Sequence, residues 1–137
     1  MTQKLFYKSQ LYIGMARATL VLDENVSELR PALEKVNFRV VTLGKGIPDE
    51  QIKHDLLSHR FLVTKNSKDF IEDAPVYDYG IISLEKLKFI DPSKESNNKT
   101  VRLISKAIID YDIVAERTHF VLYLYPNRKH HLFKDLG

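Results

Sequence analysis

The 137-residue chain contains no cysteine. That excludes a disulfide framework, a thiolate metal site and a cysteine nucleophile, and it suits a reducing cytoplasm. Long hydrophobic runs are missing as well. No apolar stretch approaches the roughly 18 residues that a membrane span requires, so no membrane association is expected. The opening MTQKLFYKSQLYIGMARA carries a lysine, a short apolar stretch and an Ala-x-Ala. Polar residues interrupt that stretch, which is too short for a secretion signal. There is no internal repeat and no low-complexity linker. The loop LGKGIP lacks the spacing of a phosphate-binding P-loop. Ser83 and Ser105 have no His–Asp partner legible nearby, so no acyl-transfer triad is expected. His54 and His59 are five apart, which does not put both on one helix face.

What is present is ordinary for a globular protein: 44% hydrophobic residues, 28% charged residues and a formal charge of +3. A chain of this length is expected to form one domain, 1–137, and to bury a real core. The mild basic excess permits a polyanionic partner, although lysines that merely solvate the surface would produce the same sum.

Short apolar, β-branched runs alternate with helical patterns. Strands are predicted at 18–22, 38–43 (FRVVTL), 60–64 (RFLVT), 80–84 (GIISL) and 118–125 (THFVLYLY). Between the first two, Val26, Leu29, Leu33 and Val36 recur at three and four, the stripe of an amphipathic helix. Ser27 is its expected cap, and Pro31 falls in its first turn, where a missing donor costs little. Asp49 and Glu50 open a second helix with Ile52, Leu56 and Leu57 inside, carboxylates being favoured at that end of the dipole. DPSKESNNK reads as a loop, followed by a helix with Val101, Ile104, Ala107, Ile108 and Tyr111 inward. The pattern predicts an α/β fold: βαβ units around a mostly parallel central sheet, a three-layer Rossmann-like sandwich. The core covers about 18–85, an extra C-terminal helix and strand about 96–126, and a basic tail 127–137.

In such sheets ligands bind beyond the carboxyl ends of the strands, and polar clusters fall at three of those ends. Asp23, Glu24 and Asn25 follow the first strand in LVLDENVS. Asp49 and Glu50 follow the second, and Asn66 and Asp69 the third. If the ends converge, Asp23, Asp49 and Asp69 surround one cavity. Clustered carboxylates repel unless a cation joins them. Oxygen ligands suit Mg²⁺ or Mn²⁺, which orient water and stabilise charge on a phosphodiester. Taken singly, each aspartate has a plainer role as a helix cap, helix-start or turn residue. Lys45, Lys65 and Lys68 lie in the rim loops and could hold RNA phosphates; loop solvation is the plainer reading. Tyr77, Tyr79, Tyr123 and Tyr125 could stack on bases, with packing the plainer reading.

The DEN after the first strand, the DE before the second helix and the T-x-N-x-x-D-F of FLVTKNSKDF together resemble the PIN-like domain family, especially short bacterial PIN-like proteins related to VapC toxins. The resemblance spans about residues 18–85. It implies a divalent-metal-dependent endoribonuclease, often a toxin neutralised by a small antitoxin protein. It matches Asp23 to the first metal-binding aspartate, Asp49 to the helix-start acid and Asp69 to the last acid, with Thr64 and Asn66 at the polar positions before it. Many relatives carry a carboxylate where this chain has Asn66, and a neutral amide is a weaker magnesium ligand. Three readings follow: a cytoplasmic ribonuclease; a degenerate PIN-like module that binds RNA or a protein; or a structural subunit, such as a homodimer, whose strand THFVLYLY pairs with another chain.

Overall fold

The computed structural model describes residues 19–43, 55–87, 94–110, 118–126 and 131–137. It is an α/β three-layer sandwich around a six-stranded, mostly parallel sheet. The strands are β1 (Thr19–Leu22), β2 (Arg39–Thr42), β3 (Phe61–Thr64), β4 (Gly80–Ser83), β5 (Phe120–Tyr123) and β6 (Leu132–Asp135). Their order across the sheet is β2-β1-β3-β4-β5-β6. All neighbours run parallel except β5 and β6. Continuous apolar strands such as FLV in β3 are what a sheet covered on both faces demands.

One face carries Leu20, Leu22, Phe61, Val63, Ile82 and Leu122. It is covered by a 3-10 segment (Glu24–Leu29), by α1 (Arg30–Lys35) and by α3 (Lys94–Asp110). The alternate residues Val21, Leu62, Ile81 and Val121 face the other way, against Leu57 from a helical turn at 55–57, Phe70, and Ala74 from α2 (Asp73–Tyr77). The period of two in the strands thus assigns each residue to one of two cores.

β4 contains a glycine for a packing reason. Gly80 is in register with Phe61 on one side and Phe120 on the other. The two rings meet across it with centroids 5.8 Å apart, and Phe133 stacks on Phe120 at 5.3 Å. A Cβ at position 80 would collide with the Phe120 ring.

The last crossover is unusual. The chain steps one way from β1 to β2, with α1 on the first face. It then steps the other way through β3 and β4, with Leu57 and α2 on the second face. From β4 to β5 it keeps that direction, yet α3 lies on the first face against α1 and the 3-10 segment. This crossover therefore has the opposite hand to the others, against a preference that holds in about 98% of such connections.

Several expectations need correction. The helix after β1 is split into a 3-10 segment and α1, and its cap is Asp23 rather than Ser27. Most of the predicted loop DPSKESNNK belongs to α3, which starts at Lys94. Its inward stripe is continued there by Ser96 and Thr100, both buried and polar, which is why hydrophobic periodicity misses the first two turns. The segment after β5 is not simply a tail, since β6 pairs antiparallel with β5. Both edges of Phe120–Tyr123 are therefore occupied, one by β4 and the other by β6. Among the described residues, no helix is long and apolar enough to cross a membrane.

Candidate functional site

Strand order reverses at β1, with β2 on one side and β3 on the other. Such a switch opens a crevice at the carboxyl ends of the two strands, the usual ligand position in sheets of this kind. Asp23 and Thr64 stand at those two strand ends. The Asp23 amide donates to the Val63 carbonyl at 3.0 Å, carrying the β1–β3 pairing one residue past the strand and so fixing where the carboxylate starts. Its backbone is extended, at φ −62° and ψ 153°, the conformation of a helix N-cap.

Both carboxylate oxygens of Asp23 are engaged. Oδ1 accepts the Glu24 amide at 2.8 Å, and Oδ2 accepts the Thr64 hydroxyl at 2.7 Å. Thr64 is fully buried, and its Oγ1 in turn accepts the Asn66 amide at 2.9 Å. Because Asn66 supplies a proton to that oxygen, the Thr64 proton is directed at Asp23. The chain Asn66 N–H, Thr64 O–H, Asp23 carboxylate runs one way and sets the carboxylate plane. A carboxylate has about four acceptor positions, so about two remain. On the same rim, Asn25 Oδ1 accepts the Lys65 amide at 3.5 Å. The two readings of LVLDENVS therefore coexist: Asp23 caps the segment that follows and also presents oxygen at the switch point.

The other predicted site residues are distributed as follows. Asn66 joins through its backbone. Asp69 ends the 3-10 turn Ser67–Asp69, its amide donating to the Asn66 carbonyl at 3.1 Å, and the residue is exposed. Lys65 is half-buried and Lys68 exposed on that rim. Asp49 and Lys45 lie outside the described residues, as do Glu50 and His54. Among the described residues, no three His, Asp or Glu side chains are grouped closely enough to hold a metal ion. The donors at the switch point are hard oxygens, of the kind Mg²⁺ and Mn²⁺ take. Such ions commonly use one or two protein carboxylates and complete their shell with water and substrate phosphate. Asp23 fits that role in kind.

A neighbouring cluster was not anticipated. At the ends of β3 and β4, the buried Ser67 and Ser83 hydroxyls lie 3.1 Å apart. Glu85 Oε1 accepts from Ser67 and is 3.1 Å from Ser83 Oγ, while the Glu85 amide donates to Ser83 Oγ at 3.4 Å. The sequence signal was a serine closing an apolar strand, followed two residues later by an acid. The ring satisfies its own polar groups and ties the ends of the two strands together.

The opposite rim is structural. His59, Asp78 and His119 all adopt positive φ just before β3, β4 and β5. His119 Nε2 meets Asp78 Oδ1 at 2.6 Å, and Nδ1 meets the Gly137 carbonyl at 3.0 Å. The Asp78 hydrogen bond, followed by that to Gly137, raises the His119 pKa above its ordinary 6.5. Tyr79 is a core residue: its hydroxyl donates to the Phe70 carbonyl at 3.2 Å, and burial, then Asp73 and Tyr77, push its pKa up.

No protein-family model matches the chain. Curated proteins and solved structures give no match either.

Proposed function

We propose that the chain is a divalent-metal-dependent endoribonuclease of PIN-like type, acting in the cytoplasm as the toxin of a toxin–antitoxin pair. The observation that carries this reading is the Asp23 carboxylate, held by Thr64 at the β1/β3 switch point with part of its acceptor capacity uncommitted. Asp23 with Asp49 and Asp69 would hold Mg²⁺ or Mn²⁺. Bound there, the ion would supply charge stabilisation at a phosphodiester and a more acidic water. Thr64 and the Asn66 backbone fix the orientation of Asp23. Lys45, Lys65 and Lys68 would neutralise substrate phosphates at the rim.

A second reading, a PIN-like module that binds RNA or a protein partner without cleaving, is favoured by Asn66. That residue donates its backbone amide to Thr64, and its side chain is an amide where many members of the resembled PIN-like family carry an acid.

Cleavage of single-stranded RNA in Mn²⁺ separates the two. Asp23→Asn keeps a good helix cap and should lower the cleavage rate by a factor of about 100 or more. Equal cleavage by wild type and Asp23→Asn would refute the catalytic reading. RNA binding without cleavage in either would support the module.

A further inference from the structure

An open cleft of about 370 Å³ is lined by Lys99, Arg102, Leu103 and Pro126. Two observations put it on the same rim as Asp23. Pro126 follows β5, which runs parallel to β1, β3 and β4, so it emerges where Asp23 and Thr64 do. The start of α3 lies beside the segment after Asp23, since Asn97 Nδ2 donates to the Glu28 carbonyl at 3.3 Å. Three strand spacings separate β1 from β5, about 14 Å. That is too far for one phosphate group to reach both places, and well within the span of an oligonucleotide.

The lining is mixed in the way a nucleic-acid backbone requires. Lys99 and Arg102 are three apart on one helix and both exposed, and Arg102 makes no ion pair among the described residues. Leu103 and Pro126 supply an apolar wall. Cations beside an apolar surface suit a phosphodiester with its ribose or base resting alongside.

We propose that this cleft binds backbone phosphates of single-stranded RNA and holds the strand a few nucleotides from Asp23. The proposal rests on the ribonuclease reading for its choice of ligand. It adds Lys99 and Arg102 as substrate-positioning residues that were not among the predicted rim lysines.

The test is metal-free binding of a fluorescein-labelled oligouridine of about 12 nucleotides, a length single-strand binders cover, read by anisotropy between about 50 and about 200 mM salt. The variant Lys99→Gln with Arg102→Gln changes exposed side chains only. It should bind about ten-fold more weakly, with a salt slope shallower by about 1.4, as two lost contacts to single-stranded RNA imply. Lys35→Gln with Arg39→Gln removes the same charge at the opposite rim and should change affinity by less than about two-fold. Equal weakening in both variants, or none in the first, would overturn the cleft. Failure of wild type to bind would overturn the cleft, while the ribonuclease reading is decided separately by cleavage in Mn²⁺. If the cleft variant behaves as expected while Asp23→Asn cleaves like wild type, the cleft stands and the catalytic reading falls.

Discussion

The Thr64 hydroxyl donates to Asp23 Oδ2 at 2.7 Å, joining residues 41 positions apart where the order of the described strands reverses. Thr64→Val keeps the shape of the buried side chain and deletes the donor. It also leaves the Asn66 amide without its acceptor. The expected cost is about 1–3 kcal/mol in unfolding free energy. If Asp23 holds a metal, Mn²⁺ affinity should fall by about 10- to 100-fold, the usual effect of removing the group that orients a ligand. Calorimetric titration reads the second effect and denaturant unfolding the first. Unchanged affinity would mean that Asp23 does not ligate an ion through this arrangement.

Gly80→Ala should destabilise by about 1–3 kcal/mol, as overpacking does. The Phe120 ring it strikes has no retreat, because Phe61 and Phe133 lie against it. Phe120→Leu in the Gly80→Ala background should recover part of the loss, a non-additivity expected of residues in contact. Equal unfolding midpoints for wild type and Gly80→Ala would contradict the packing described for β4.

The His119–Asp78 pair should titrate. Its pKa is raised on folding, so its contribution to stability is complete below the ordinary imidazole value of 6.5 and is lost as pH rises through the folded value. NMR titration should place His119 above 6.5, and Asp78→Asn should move it back toward that value. High salt should weaken the pair, since both side chains are partly exposed. A His119 pKa at or below 6.5 would contradict the contact.

Thr100 offers a stabilising change. Its hydroxyl is fully buried in α3, and among the described residues it finds no hydrogen-bond partner. Thr100→Val removes the unsatisfied group at nearly constant volume and should raise stability by about 1 kcal/mol. A lower melting temperature would show that the hydroxyl is in fact satisfied.

The layer order was legible because runs such as LVL, FLV and GII are apolar without interruption, which in a chain with intervening helical stripes means strands covered on both faces. Asp23 and Thr64 were legible as strand-end polar residues, although only pairing reveals that they touch. Their contact depends on β1 and β3 being neighbours, which no local pattern encodes. The start of α3 was hidden because Ser96 and Thr100 occupy inward positions that hydrophobic periodicity expects to be apolar. β6 was hidden because an edge strand with Lys134 and Asp135 carries no buried alternation. The Ser67–Ser83–Glu85 ring was missed for the reason that applies to Asp23 and Thr64: three unremarkable polar residues become a cluster only once β3 and β4 lie side by side.

Strand order also says something about assembly on the ribosome. β1 is the first of these strands to emerge and lies inside the sheet; β2 occupies one flank, and β3, β4, β5 and β6 follow in chain order on the other. No strand has to be threaded between two that are already zipped together, so the sheet can grow outward as the chain emerges. The Asp23–Thr64 contact needs only β1 and β3, and no residue of α3 or of the strands that follow it.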